Sequence, residues 1–186
     1  MSLNIPNMIT VARIIMIPVL VLVFYWDFPY NHLVAAAVFG LAAITDWVDG
    51  YLARRLGQMT AFGAFLDPVA DKLMVAVALV LLVERHANML FTIAACIIIG
   101  REIVISALRE WMAELGERTS VAVSYVGKVK TAFQMVAIFG LLAIDPDTEA
   151  SWLLAVSYVL LYTAALLTLW SMFVYLRAAW AVVRVR

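Results

Sequence analysis

Four aspartates in two closely spaced pairs are the residues of this sequence best suited to chemistry. Asp46 and Asp49 are three positions apart, and Asp67 and Asp71 are four positions apart. On an α-helix, both spacings place the two carboxylates of a pair on one face. Carboxylate oxygens with no cysteine or histidine beside them suit Mg²⁺ or Mn²⁺ and not zinc. The two pairs therefore predict a divalent-cation site.

The rest of the sequence has the composition of a membrane protein. Of its 186 residues, 66% are hydrophobic, whereas a soluble domain is about half apolar. The net charge is zero, which gives no reason to expect a nucleic-acid partner. Cys96 is the single cysteine, so an internal disulfide is excluded.

Polar breaks divide the chain into six apolar segments. A spanning helix needs about 20 such residues. We expect spans at 5–26, 32–55, 61–83, 88–109, 121–143 and 150–176. No soluble domain is left over, so the prediction is an all-α integral membrane protein with six transmembrane helices, forming a single catalytic domain over residues 1–186.

Basic residues are unequally shared between the two ends of these spans. The cytoplasmic side of a membrane protein carries the excess of lysine and arginine. The breaks after odd-numbered spans carry only Arg85, whereas the other side carries Arg54, Arg55, Arg109, Arg118, Arg184 and Arg186. We therefore expect both termini and the loop after the second span to face the cytoplasm.

The short link between the second and third spans makes these helices antiparallel neighbours, so the two aspartate pairs can face one another. An unpaired aspartate at a span centre costs about 2.5–3.5 kcal/mol, and less near the interface. Bound cations would compensate this cost. A salt bridge to a basic side chain, or an ion pathway, is the alternative explanation for any single aspartate.

Small residues beside the aspartates leave space for a ligand. Gly50 and Ala53 lie on the face of the first pair, and Gly63 precedes Asp67 by one turn. Close helix packing is the alternative reason for small residues in a span. Arg54 follows on nearly the same face and can bind a phosphate, although it also suits a cytoplasmic anchor.

The register of these residues is similar to the signature of the CDP-alcohol phosphotransferase family. The matched positions are Asp46, Asp49, Gly50, Ala53, Arg54, Gly63, Asp67 and Asp71. The segments "NIPNMITVARIIMIPV", "GREIVISALREWMAELGERTSVAVSYVGKVKTAFQM" and "LTLWSMFVYL" resemble the bacterial branch that uses sn-glycerol 3-phosphate as acceptor. The resemblance covers nearly the whole chain.

The resemblance implies an activity and a fold. The enzyme would transfer the phosphatidyl group of CDP-diacylglycerol to sn-glycerol 3-phosphate and release CMP. Six membrane helices, a homodimer, a location in the bacterial inner membrane and an active site open to the cytoplasm are also implied.

Residue roles follow from the same resemblance. Asp46, Asp49 and Asp67 would bind two Mg²⁺ or Mn²⁺ ions, and Asp71 would be both a ligand and the general base. The positions expected to bind CDP-diacylglycerol, or to make room for it, are Asn7, Thr10, Gly50, Ala53, Arg54, Thr60 and Gly63. Helix N-capping is the alternative role for Asn7 and Thr10.

The acceptor phosphate needs cations, and the fourth and fifth spans supply them. Candidates to bind it are Arg101, Arg109, Lys128, Lys130 and Thr131. Snorkelling to the interface is the alternative role for the two lysines. Because Arg101 and Glu102 are adjacent in sequence, we expect them to point different ways, with Glu102 pairing to Arg109 or Arg54.

Three other hypotheses fit parts of the sequence. The acceptor could be another alcohol, such as inositol phosphate, serine or phosphatidylglycerol. The aspartates could form the binding site of a divalent-cation transporter, but the small residues and Arg54 would then have no use. A purely structural subunit would leave all four aspartates unexplained.

Overall fold

The computed structural model describes residues 5–56, 61–114, 125–145 and 152–183. Within these ranges every regular element is an α-helix. The six helices are α1 (Ile5–Tyr25), α2 (Asn31–Leu56), α3 (Ala61–His86), α4 (Met89–Glu114), α5 (Tyr125–Ala143) and α6 (Trp152–Val183). They correspond one to one with the six predicted spans.

Three helices run three or more residues beyond the ends that the sequence predicts. α3 continues to His86, α4 to Glu114 and α6 to Val183. The predictions ended where the apolar residues end, but a helix of 26 residues such as α4 is about 39 Å long, whereas the hydrocarbon layer is about 30 Å thick. Charged residues at these ends therefore continue the helix instead of breaking it. Residues 121–124, predicted to open the fifth span, lie outside the described ranges.

Length and composition alone mark three described segments as able to cross a membrane: Met8–Tyr25, Met89–Met112 and Trp152–Arg177. α2 and α5 contribute the shorter apolar stretches Asn31–Asp46 and Val129–Ala143. The apolar sequence of α3 is interrupted by three charged residues, Asp67, Asp71 and Lys72, although the helix itself is continuous. The three helices with the weakest membrane signal are thus those that carry the four aspartates, on α2 and α3, and the candidate lysines, on α5.

Small residues let the helices approach closely around one buried core. Helix interfaces in membranes favour such residues because the backbones can then pack tightly. α1 packs on both α2 and α3, α2 packs on α5, and α6 packs on α4 and α5. Alanines fully or nearly fully buried between the helices are Ala35, Ala36, Ala42, Ala78, Ala94, Ala95, Ala137 and Ala165.

Polar and aromatic contacts join the helices at the end opposite the aspartates. The Arg85 guanidinium lies 4.1 Å from the centre of the Phe24 ring and donates to the Leu142 carbonyl at 3.4 Å. The His86 Nδ1 atom and the Tyr158 hydroxyl are 2.9 Å apart. These contacts connect α3 to α1, α5 and α6, and so fix how α3 presents its other end.

Gly140 tests how tightly α5 packs on α6. A Cβ atom at this buried position would collide with the Ser157 side chain, whereas one at Gly100 on α4 would meet nothing within 4 Å. Because overpacking typically costs 1–3 kcal/mol, we expect Gly140→Leu to lower the unfolding temperature in detergent clearly. Gly100→Leu is the matched control and should not lower it. Equal unfolding temperatures for the two variants would contradict the close packing.

Candidate active site

Two aspartates of the motif receive hydrogen bonds from α1. The Arg13 guanidinium donates to the Asp46 Oδ1 atom at 2.6 Å. The Thr10 hydroxyl donates to the Asp67 Oδ1 atom at 2.5 Å. Arg13 and Thr10 are each only 1% exposed. α1 therefore contacts Asp46 on α2 and Asp67 on α3.

Arg13 is a site residue to which the sequence section assigns no role. From the sequence, a salt bridge is one alternative role for the aspartates, but its basic partner is not predicted. Arginine inside a spanning helix is rare and marks a functional position by default. Arg13 is the one basic residue in the first predicted span, so this signal was available.

Several predicted donor-site residues lie beyond what the structure describes. Five of these residues lie on helices, but only their backbone is described: Asn7, Asp49, Gly50, Ala53 and Arg54. Thr60 lies outside the described ranges altogether. Gly63 is buried on α3, one turn before Asp67. Their predicted roles therefore remain predictions.

The described part of the site fits a hard divalent cation by its donor chemistry. Asp46, Asp67 and Asp71 offer only oxygen atoms, which Mg²⁺ and Mn²⁺ prefer. Among the side chains that the structure describes, no group of three carboxylates, imidazoles or thiols gathers closely enough to hold an ion. The fourth aspartate of the motif, Asp49, lies outside the described side chains.

A second polar region lies between α3, α4 and α5. It is a cleft of about 130 Å³ lined mainly by polar side chains. Its polar lining residues are Asp71, Lys72, Arg101, Glu102, Lys130, Thr131 and Gln134. Three of the predicted acceptor-site residues, Arg101, Lys130 and Thr131, are thus brought together beside Asp71.

Glu102 corrects one prediction about this region. Its Oε1 atom accepts from Arg101 at 2.5 Å and from Lys130 at 3.3 Å. The expectation that Arg101 and Glu102 point different ways was wrong, and among the described side chains Glu102 pairs with Arg101 and Lys130 instead of Arg109. The other expected partner, Arg54, lies outside the described side chains. The side chains of Arg101 and Glu102 are long enough to turn toward each other from adjacent positions. Two nearly buried cations, 11% and 3% exposed, favour the nearest carboxylate.

Lys72 and Ser106 are cleft-side residues to which the sequence analysis gave no role. The Lys72 ammonium donates to the Ser106 hydroxyl, which in turn donates to the Glu102 carbonyl at 2.7 Å. A lysine directly after Asp71 was the signal that could have pointed to this contact. It ties α3 to α4 beside the cleft.

The other two acceptor candidates, Arg109 and Lys128, are not among the described residues that line the cleft. Arg109 is exposed and lies with its guanidinium 5.8 Å from the centre of the Tyr175 ring, and it does not line the cleft. Lys128 lies on α5, but its side chain is outside the described set.

Asp71 links the two polar regions. It lies on α3 one turn beyond Asp67 and lines the cleft between α3, α4 and α5. The charges of Asp46, Arg13, Glu102 and Lys72 all act on its carboxylate. A group in this position can interact with a ligand held by the motif and with a second ligand held in the cleft.

Comparison with known proteins shows the family of this chain. The profile of the family described as CDP-alcohol phosphatidyltransferase matches residues 3–182. The chain belongs to this family. Its members generally use a divalent metal ion, in agreement with the oxygen-only donor set.

Close relatives match along almost the whole chain. A Yersinia pestis protein is 57% identical over 97% of both chains. A Pseudomonas fluorescens protein is 58% identical over 96% of this chain and 91% of its own. A Salmonella choleraesuis protein is 55% identical over 96% of both. All three are named CDP-diacylglycerol–glycerol-3-phosphate 3-phosphatidyltransferase.

The family settles two expectations from the sequence. The resemblance to these transferases is confirmed, and so is the all-α membrane fold class. The cation-transporter and structural-subunit hypotheses are not supported, because the family and its named relatives are transferases.

Glu102→Gln tests the charge balance of the cleft. Removing the carboxylate leaves Arg101 and Lys130 close together without their shared acceptor, and an uncompensated buried group typically costs about 1–3 kcal/mol. We expect a lower unfolding temperature in detergent. Glu110→Gln, an exposed position on the same helix, should unfold like the wild type. If the two variants unfold at one temperature, Glu102 does not balance these charges.

Proposed function

We infer that this chain transfers the phosphatidyl group of CDP-diacylglycerol to sn-glycerol 3-phosphate, giving phosphatidylglycerophosphate and CMP. The observation that carries this inference is the near-complete match to relatives named for that reaction, at 55–58% identity. Identity at this level over the whole chain includes the acceptor-facing helices, not only the shared aspartate motif. The proposal therefore names the acceptor as well as the donor.

The donor is proposed to bind at the motif end of α1, α2 and α3. Asp46, Asp49, Asp67 and Asp71 would hold the divalent cations, proposed as two Mg²⁺ or Mn²⁺ ions. When bound, these ions would clamp the pyrophosphate and neutralise charge on the departing CMP. Donor contacts, or space for the donor, are assigned to Asn7, Gly50, Ala53, Arg54, Thr60 and Gly63.

The acceptor is proposed to bind in the cleft beside Asp71. Glycerol 3-phosphate is an anion that must be held by cations in a site largely shielded from water. The support for this location is the group formed by Arg101, Lys130 and Thr131. Lys128 is assigned to the same site from its position on α5. Arg109 is also assigned, but its contact with Tyr175 makes it a more distant contributor.

Asp71 is proposed as the general base. It would accept the proton of the acceptor's primary hydroxyl as that oxygen bonds to the lipid phosphorus. The bond from this phosphorus to the oxygen of CMP breaks in the same substitution. A positioned base contributes about 10²–10⁴-fold to such a step. What supports the assignment is that Asp71 adjoins both the motif and the cleft.

The location of the site in the cell is also part of the proposal. The excess of arginine at the motif end of the spans supports a bacterial inner-membrane protein with both termini and the active site facing the cytoplasm. Acyl chains would then remain in the bilayer while the head group meets a water-soluble acceptor. A homodimer is proposed from the family resemblance.

One assay tests this function. Purified protein is incubated with CDP-diacylglycerol, Mg²⁺ and one alcohol at a time, and CMP release is measured. We expect release with glycerol 3-phosphate, little with inositol phosphate or serine, and none after removal of metal with a chelator. Equal release with another alcohol would overturn the acceptor assignment, and none with any alcohol would overturn the function.

Asp71→Asn tests the base. The amide cannot accept the acceptor's proton, so we expect CMP release to fall by about 100-fold or more, with binding of CDP-diacylglycerol retained. Asp145→Asn is the control, because Asp145 lies exposed after α5, far from the motif in sequence. Turnover close to that of the wild type in Asp71→Asn would remove Asp71 from the base role.

Lys130→Gln tests the acceptor site. Loss of a nearly buried cation beside the cleft should raise the KM for glycerol 3-phosphate by about tenfold or more, a loss of about 1.4 kcal/mol. The KM for CDP-diacylglycerol in the same variant is the internal control and should stay unchanged. An equal rise in both constants would assign Lys130 to the fold and not to the acceptor.

A further inference from the structure

Thr10 and Arg13 form a pair of contacts that the proposed reaction does not yet use. They lie three positions apart on α1, so they share one face of that helix. Thr10 donates to Asp67 on α3 at 2.5 Å, and Arg13 donates to Asp46 on α2 at 2.6 Å. One face of α1 thus contacts Asp46 and Asp67, which lie on the two different motif helices.

Burial makes these contacts persistent. Both α1 side chains are 1% exposed, so water is not available to replace their partners. A charged guanidinium at such depth needs a carboxylate close by, since a buried charge without a partner is strongly unfavourable. Asp46 in turn is 44% exposed on its side chain, so it can contact Arg13 and still reach a ligand.

Both hydrogen bonds from α1 are made to one particular oxygen atom of each carboxylate. The Oδ1 atom of Asp46 and the Oδ1 atom of Asp67 receive the hydrogen bonds from α1. Because the buried donors Thr10 and Arg13 hold these Oδ1 atoms, they restrain the orientation of each whole carboxylate, including its Oδ2 atom. Carboxylates that bind metal ions are commonly held by such hydrogen bonds, and loss of one typically costs 10–100-fold in affinity or activity.

We propose that Thr10 and Arg13 are positioning residues that orient Asp67 and Asp46 for divalent-cation binding. For Thr10 this role replaces the direct contact with the donor that the sequence predicts. The inference rests on the proposed function, because it assumes that these aspartates bind the cation. It goes further in assigning α1 the task of setting the geometry of two ligands on two other helices.

The test measures cation binding without catalysis. Mn²⁺ alone is titrated into purified protein in detergent micelles, with no lipid donor present, and its affinity is measured by calorimetry. Thr10→Val has nearly the shape of threonine but no hydroxyl, so we expect Mn²⁺ to bind about tenfold more weakly. Thr10→Ser keeps the hydroxyl and should bind Mn²⁺ like the wild type.

Thr168→Val is the matched control for removal of a buried hydroxyl. Thr168 is 0% exposed, and its hydroxyl donates to the Ala164 carbonyl within α6 at 2.6 Å. This variant should leave Mn²⁺ affinity unchanged. The unfolding temperatures of both valine variants are measured to separate a change in binding from a loss of fold. If Thr10→Val does not fold, Thr10→Ala replaces it.

Arg13→Lys tests the second contact independently. It keeps the positive charge but loses the planar, multi-donor guanidinium, so any change reflects geometry and not net charge. We expect Mn²⁺ affinity to fall severalfold. Wild-type affinity in the folded Thr10→Val and Arg13→Lys proteins would overturn the inference. Absence of Mn²⁺ binding in the wild type would instead overturn the proposed metal site.

Discussion

The cost of placing ionised carboxylates inside an apolar helical bundle governs this structure. Each such group needs a donor or a cation, because lipid offers neither. Three described carboxylates meet this need with specific partners: Asp46 with Arg13, Asp67 with Thr10, and Glu102 with Arg101 and Lys130. These pairings join α1 to α2 and α3, and α4 to α5. The polar contacts that make the charges tolerable therefore also fix the relative positions of the helices that carry them.

The same constraint is met in two separate polar regions of the bundle. The motif end of α1, α2 and α3 is rich in carboxylates and suits cations bound to a pyrophosphate, whereas the cleft between α3, α4 and α5 gathers cations suited to a phosphate. Asp71 belongs to both regions. A fully or nearly fully buried layer that includes Leu79, Leu82, Ile98, Leu141 and Leu161 supports them. In the proposed reaction, both substrates lie beside the one carboxylate of Asp71.

Much of this architecture could be predicted from the sequence, because hydropathy and helical spacing are local properties. The six helices and the shared face of Asp67 and Asp71 follow from counting residues. The partners of the carboxylates could not be predicted in this way. Arg13 lies 33 positions from Asp46, and Thr10 lies 57 positions from Asp67, so only the packing of α1 brings them together. The Arg101–Glu102 contact was mispredicted because side-chain reach outweighed the different directions of adjacent residues.

The central claim is that the acceptor hydroxyl, activated beside Asp71, attacks the lipid phosphorus of a donor held by the aspartate motif. The most direct test follows the acceptor oxygen. Glycerol 3-phosphate carrying a heavy oxygen isotope in its primary hydroxyl is reacted with CDP-diacylglycerol, and both products are analysed by mass spectrometry. The account predicts that all of the label appears in the phosphodiester of the lipid product and none in CMP. Label in an ester of cytidylate with glycerol phosphate, formed together with phosphatidate, would mean attack on the nucleotide phosphorus and would contradict it.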